Sequence, residues 1–177
     1  MNLIYSFARK LALFFAILIL DSTVSYSQSN FEPGKMRIDG VDYEIIVTNG
    51  SIIGVGSMDS KYAEGYPGPL IKDPLPVLRS DIHVNFDNVK RIVQEILKDK
   101  LPQLRENKEK LGIRVWFEQN GRIEGGFFAT MNKNTLIRPR EIHEIYLRIK
   151  NEIHATFTGQ DYKNYILIPY KYPVIQF

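Results

Sequence analysis

The chain has 177 residues, 44% of them hydrophobic and 24% charged, and contains no cysteine. That length allows one domain with a real core, and the missing cysteines exclude a disulfide framework, thiolate metal sites and thiol catalysis. A formal net charge of +3, with basic and acidic residues interleaved, is too balanced to point to nucleic acid.

The first 27 residues have the layout of a signal peptide. Arg9 and Lys10 precede an unbroken apolar run from Leu11 to Leu20, and Asp21 closes it. Ser25 and Ser27 then place small residues just ahead of a cut before Gln28. A membrane-spanning helix needs about 20 apolar residues, twice what this run offers. No stable membrane span is therefore expected after cleavage; retention as an anchor is the alternative. No cysteine follows the run, which excludes a lipoprotein anchor. An exported chain that lacks disulfides suits the Gram-negative bacterial envelope, so the expected location is periplasmic or secreted.

Residues 28–58 read as an N-terminal β-hairpin extension. Ile38, Val41, Tyr43, Ile45 and Val47 lie in one extended run, Asn49-Gly50 turns the chain, and Ile52, Ile53 and Val55 return. Asp39-Gly40 offers a second turn upstream. Gly54 and Gly56 lack the third glycine and the following helix of a dinucleotide site, so a strand end or bulge is the plainer reading. Residues 59–84 form a proline-rich connection, with Pro67, Pro69, Pro74 and Pro76 excluding helix and offering few ladder donors.

From Asn85 onward the pattern is that of a two-helix α+β unit spanning residues 85–177. Asn85 caps a helix whose stripe is Phe86, Val89, Val93, Ile96 and Leu97, and Pro102 stops or kinks it. Ile113, Val115 and Phe117 share one face of a strand, with Arg114, Trp116 and Glu118 on the other. Asn120-Gly121 turns the chain into a second strand, Arg122 to Thr130, where Gly125-Gly126 marks a bulge or a close approach of another backbone. Pro139 opens a second helix with the stripe Ile142, Ile145, Tyr146, Ile149 and Ile153. The last strand is expected over Tyr162 to Ile168, limited by Pro169 and Pro173.

The succession of helix, IRVWFEQNGRIEGGFFAT, the helix EIHEIYLRIKNEI and NYILIPYKYPVIQF resembles the C-terminal domain of TonB over roughly the last 90 residues. The resemblance implies that α+β fold and a last strand able to receive a peptide. The family's uncleaved anchor and long Pro/Lys-rich spacer have no counterpart here. The basic-aromatic segment before its last strand is replaced by NEIHATFTGQD, so energy transduction is not implied.

Candidate chemistry is sparse. His143 and His154 are eleven residues apart on or just past one helix, about 16 Å along its axis, and His83 lies elsewhere, so no metal site is expected. Glu118 and Glu124 straddle the hairpin turn and could face each other as a carboxylate pair, although hairpin charges are commonly just solvated. Glu141 and Glu144 suit a helix N-terminus, and no nucleophile-elbow motif is present. Tyr162, Tyr165, Tyr170 and Tyr172 can stack on a sugar or peptide, or simply pack.

The expectation is an exported, non-catalytic interaction module without cofactor or metal, whose partner is an envelope protein or peptide segment. That segment would be taken up by strand addition at Asn164, Tyr165, Ile166, Leu167 and Ile168. A structural or assembly subunit of the envelope and an envelope hydrolase are the alternatives. A final strand covered by the N-terminal hairpin would favour assembly; a free one would favour binding.

Overall fold

A computed structural model describes residues 31–62 and 67–177. The expected signal peptide, the lead-in from Gln28 to Asn30 and residues 63–66 of the proline-rich connection lie outside the described residues.

The chain begins as a meander. Asp39 and Gly40 both take positive φ (47° and 87°), as a two-residue type I′ turn requires, and join β1 (Gly34–Ile38) to β2 (Val41–Thr48). Asn49 and Gly50 (53° and 64°) turn the chain again into β3 (Ile52–Ser57). Both dipeptides thus act as the sequence predicts.

Downstream, β4 (Ile82–His83) precedes helix α1 (Phe86–Ile96), which Asn85 caps by accepting from the Asn88 amide at 3.1 Å. Pro102 neither stops nor kinks α1; it sits in the first turn of a separate short helix, α2 (Leu101–Glu106), where its missing N–H has no partner to lose. Strand β5 (Lys110–Phe117) then pairs with β6 (Ile123–Thr130) through the expected turn. The register slips between Trp116 and Phe117, whose partners are Gly125 and Ile123, so Glu124 is the extra residue of a bulge in β6 next to Gly125-Gly126. At Gly121 φ is +82°, and an added Cβ would sit on the Ala155 carbonyl oxygen, so this turn requires glycine. Helix α3 (Pro139–Glu152) follows, then β7 (Thr156–Phe157), β8 (Ile168–Lys171) and β9 (Ile175–Gln176).

Seven strands form one antiparallel sheet in the order β1-β2-β3-β6-β5-β8, with β9 also on β5 beyond β8; β4 and β7 pair separately. The N-terminal meander is therefore continuous with the C-terminal unit. β3 lies against β6, with Ile53 opposite Thr130 and Val55 opposite Phe128. The fold is α+β.

Helices α1 and α3 cover one face of the sheet. Ile45, Ile53, Ile113, Val115, Phe117 and Phe128 meet Val89, Val93, Ile142 and Ile149 there, all buried. Each such side chain contributes about 1.5–3 kcal/mol of burial free energy. Gly126 lies directly under the Tyr146 ring, where a Cβ would come within 3.1 Å, and this lets α3 approach β6 closely. The other face carries Ile46, Phe127, Ala129, Arg114 and Trp116 without a covering layer among the described residues. Phe127 lies over Gly54, whose Cβ would collide with its ring, and Trp116 lies beside Gly125.

Candidate functional site

An open sheet has two edges, and whether each can take another strand depends on which backbone groups point outward. Consecutive residues of a strand direct their N–H and C=O to opposite sides, so one hydrogen bond sets the phase of a whole strand.

At the C-terminal edge, the Tyr172 amide donates to the Ile113 carbonyl of β5 at 3.0 Å. Tyr170 and Ile168 therefore also face β5, opposite Val115 and Phe117. Pro169, Lys171 and Pro173 point outward. Prolines at two of these three positions leave Lys171 as the one outward N–H, and the edge is blunted against strand addition.

The residues expected to receive a partner are placed differently from the sequence reading. Residues Asp161–Asn164 coil into a 3-10 turn, Ile166 and Leu167 form a bend, and of the five only Ile168 belongs to β8. The physical reason is local packing. Tyr162 stacks on Phe157 with centroids 4.9 Å apart, which coils the segment, and Pro169 sits inside the strand because its absent donor faces outward. The upstream part of this edge is also taken by the chain itself. The Leu70 amide donates to the Asn164 carbonyl at 2.8 Å, Pro69 bridges Tyr165, and the Tyr165 hydroxyl donates to the Leu75 carbonyl at 3.1 Å. The proline-rich connection is thus docked at 69–75.

An aromatic row runs beneath this edge. Tyr162, Phe157, Phe117, Tyr170, Tyr172 and Phe86 contact one another in turn, with Arg79 5.2 Å over the Tyr170 ring. The expected aromatic end is mostly structural packing. Within it, the Tyr172 hydroxyl is buried and has no hydrogen-bond partner among the described residues, and burial pushes its pKa upward.

The N-terminal edge differs. The Met58 amide donates to the Asp42 carbonyl at 2.7 Å, so Asp42 faces β3 and its neighbours Val41 and Tyr43 face β1. Ile38, Met36 and Gly34, opposite Val41, Tyr43 and Ile45, point inward. Lys35 and Arg37 consequently direct both N–H and C=O away from the sheet. Among the described residues no strand pairs with that side of β1. The sequence reading missed Lys35 and Arg37 as edge residues. Their signal was present: a short basic-apolar alternation before an Asp-Gly turn, with no proline inside the strand.

The remaining polar groups lock elements together. Tyr43 and His143, both buried, share a hydrogen bond of 2.8 Å between the hydroxyl and Nδ1, and His143 Nε2 lies 3.8 Å from Asp39. Burial, then the nearby Tyr146 and Asp59, raise the Tyr43 pKa. Asp59 accepts from the Tyr146 hydroxyl at 2.7 Å and from Lys150 at 2.8 Å, fixing the end of β3 to α3. Glu118 and Glu124 are both engaged by the segment after β3. Glu118 takes Lys61 Nζ at 2.7 Å, and Glu124 takes Ser60 Oγ and the Lys61 amide. The hydrogen bond from Lys61 holds the Glu118 carboxyl below its usual range. Buried Glu109 accepts from Thr135 at 2.5 Å and from the Leu136 amide. No group of three or more His, Asp or Glu residues able to hold a metal occurs among the described residues. No helix among them is long and apolar enough to cross a membrane.

No protein-family model matches the chain, and no curated protein matches it. Among solved structures, the chain is similar to a DUF5043 family protein from Bacteroides uniformis ATCC 8492. The TM-score is 0.61 at 17% sequence identity, over 81% of this chain and 86% of that one. At that identity the likeness is one of fold.

Proposed function

We propose that the protein is an exported, non-catalytic interaction module of the cell envelope that accepts an extended protein segment by strand addition along the outer side of β1. The observation that carries this reading is the pair of outward N–H and C=O groups at Lys35 and Arg37, two ladder positions in succession. Export is supported by the layout of residues 1–27. The TonB-like pattern of residues 85–177 supports the same class of function, with the receiving edge moved to the opposite end of the sheet.

Proline scanning tests this, because the loss of an N–H weakens only a ladder that uses it. Arg37→Pro deletes an outward N–H and leaves the inward ladder of β1 intact, whereas Met36→Pro deletes an inward one. The full chain, expressed with its own N-terminus, is used to capture envelope proteins, and the captured segment is mapped by cross-linking. The expected result is a partner cross-linked beside β1, lost with Arg37→Pro and retained with Pro169→Val. Capture indifferent to Arg37→Pro, or a cross-link at β8, sinks the reading.

A further inference from the structure

The side chains of Lys35 and Arg37 alternate with those of Met36 and Ile38. The two basic groups share the open face of the sheet, and the two apolar ones turn to the helix-covered face, half-buried against the core. Across the first ladder, Lys35 stands opposite Glu44 and Arg37 opposite Asp42, the latter pair 3.4 Å apart. Along the hydrogen-bonding direction the open face therefore runs acidic on β2, basic on β1, and then stops. The Arg37–Asp42 pair is solvent-exposed, so it holds little energy, and a guanidinium has donors enough for a second carboxylate.

We infer that the segment taken up by β1 alternates acidic and apolar residues. The acidic ones lie beside Lys35 and Arg37, and the apolar ones extend the core beside Met36 and Ile38. This rests on the strand-addition reading above and names its partner class. The charge order also disfavours β1 of a second copy as the occupant: two β1 strands side by side bring the same basic pair against itself, and like charges directly across a ladder repel. The basic residues thus have two uses on one edge, attracting an acidic strand and keeping copies apart.

The test uses the full chain and two capped peptides, one alternating glutamate with valine and one alternating lysine with valine. Amide hydrogen exchange is followed at Lys35 and Arg37, and affinity at low and high salt. The glutamate peptide is expected to slow exchange at both amides and to bind about tenfold tighter than the lysine peptide at low salt, the gap narrowing as salt rises. The double variant K35E/R37E, changed only at exposed side chains, is expected to invert the preference. Equal protection by both peptides overturns the charge rule and leaves strand addition standing. Protection by neither removes both. Protection at Lys35 that grows with protein concentration in the absence of peptide assigns the edge to a second copy and also overturns the inference.

Discussion

The two edges of the sheet end in opposite ways. At β8, prolines occupy outward positions 169 and 173, and the chain's own residues 69–75 are docked just upstream. At β1 the outward positions inside the strand are Lys35 and Arg37, with no proline between Gly34 and Ile38. One edge is closed by removing donors; the other keeps its donors and is guarded only by charge. Proline closes an edge to every strand, whereas lysine and arginine close it to some strands and open it to others. The difference is one of selectivity, and it is the reason the proposed strand addition is assigned to the N-terminal edge.

The comparison can be broken or sharpened by substitution. The largest effect is expected at Gly121, in the turn of the β5–β6 hairpin. Gly121→Ala forces a side chain onto a positive φ and into the Ala155 backbone, and should destabilise by about 3 kcal/mol or more, read as a lowered denaturant midpoint. A smaller change of opposite sign is expected beneath the closed edge. Tyr172→Phe removes a buried hydroxyl that has no hydrogen-bond partner among the described residues and should raise stability by about 1 kcal/mol. Tyr165→Phe releases the Leu75 carbonyl and should cost about 0.5–1 kcal/mol, with faster exchange at the Leu70 amide as the specific sign that the docked segment has loosened. Opening the closed edge should barely alter stability. Pro169→Val with Pro173→Val should shift it by less than about 1 kcal/mol, yet produce concentration-dependent self-association on size exclusion, because the restored donors face outward.

The smallest effect is one of pH. The Glu118 carboxyl is held low by the hydrogen bond from Lys61, so its folded pKa lies below its unfolded one. Its contribution is fully present above the ordinary carboxylate range and is lost as pH falls through the depressed value. A melting series in acid should therefore show a shallower loss for Glu118→Gln than for the parent protein. Equal slopes would mean that the Lys61 contact is not maintained in solution.

Much of this architecture can be read from the residues, and the misses share a cause. Turns at Asp39-Gly40, Asn49-Gly50 and Asn120-Gly121 are encoded within two residues, and both long helices carry their stripes and their starts at Asn85 and Pro139. The last strand was misplaced because the apolar run from Tyr162 to Ile168 reflects packing on Phe157 and under the docked segment, which a run of hydrophobic residues does not distinguish from a strand. Pro169 looked like a stop, yet a proline is tolerated where its missing donor faces outward. Strands β4 and β7, two residues each, are too short to carry any pattern. Which edge is open depends on the phase of the ladder, and that phase is fixed by the partner strand.

The pairing of β3 with β6 has a consequence for how the protein is made. Ile53 meets Thr130, so β3 waits for a neighbour synthesised roughly seventy residues later. The β1–β3 meander emerges first and closes through local turns, but until β6 arrives it presents two bare sides instead of one. Joining it to the β5–β6 hairpin carries the chain-closure entropy of that long intervening stretch and is expected to be a late, slow step. The nascent meander is thus the stage most exposed to misassociation. Gly54 and Gly56, within the strand that awaits β6, give it weak strand propensity where premature pairing would do most harm.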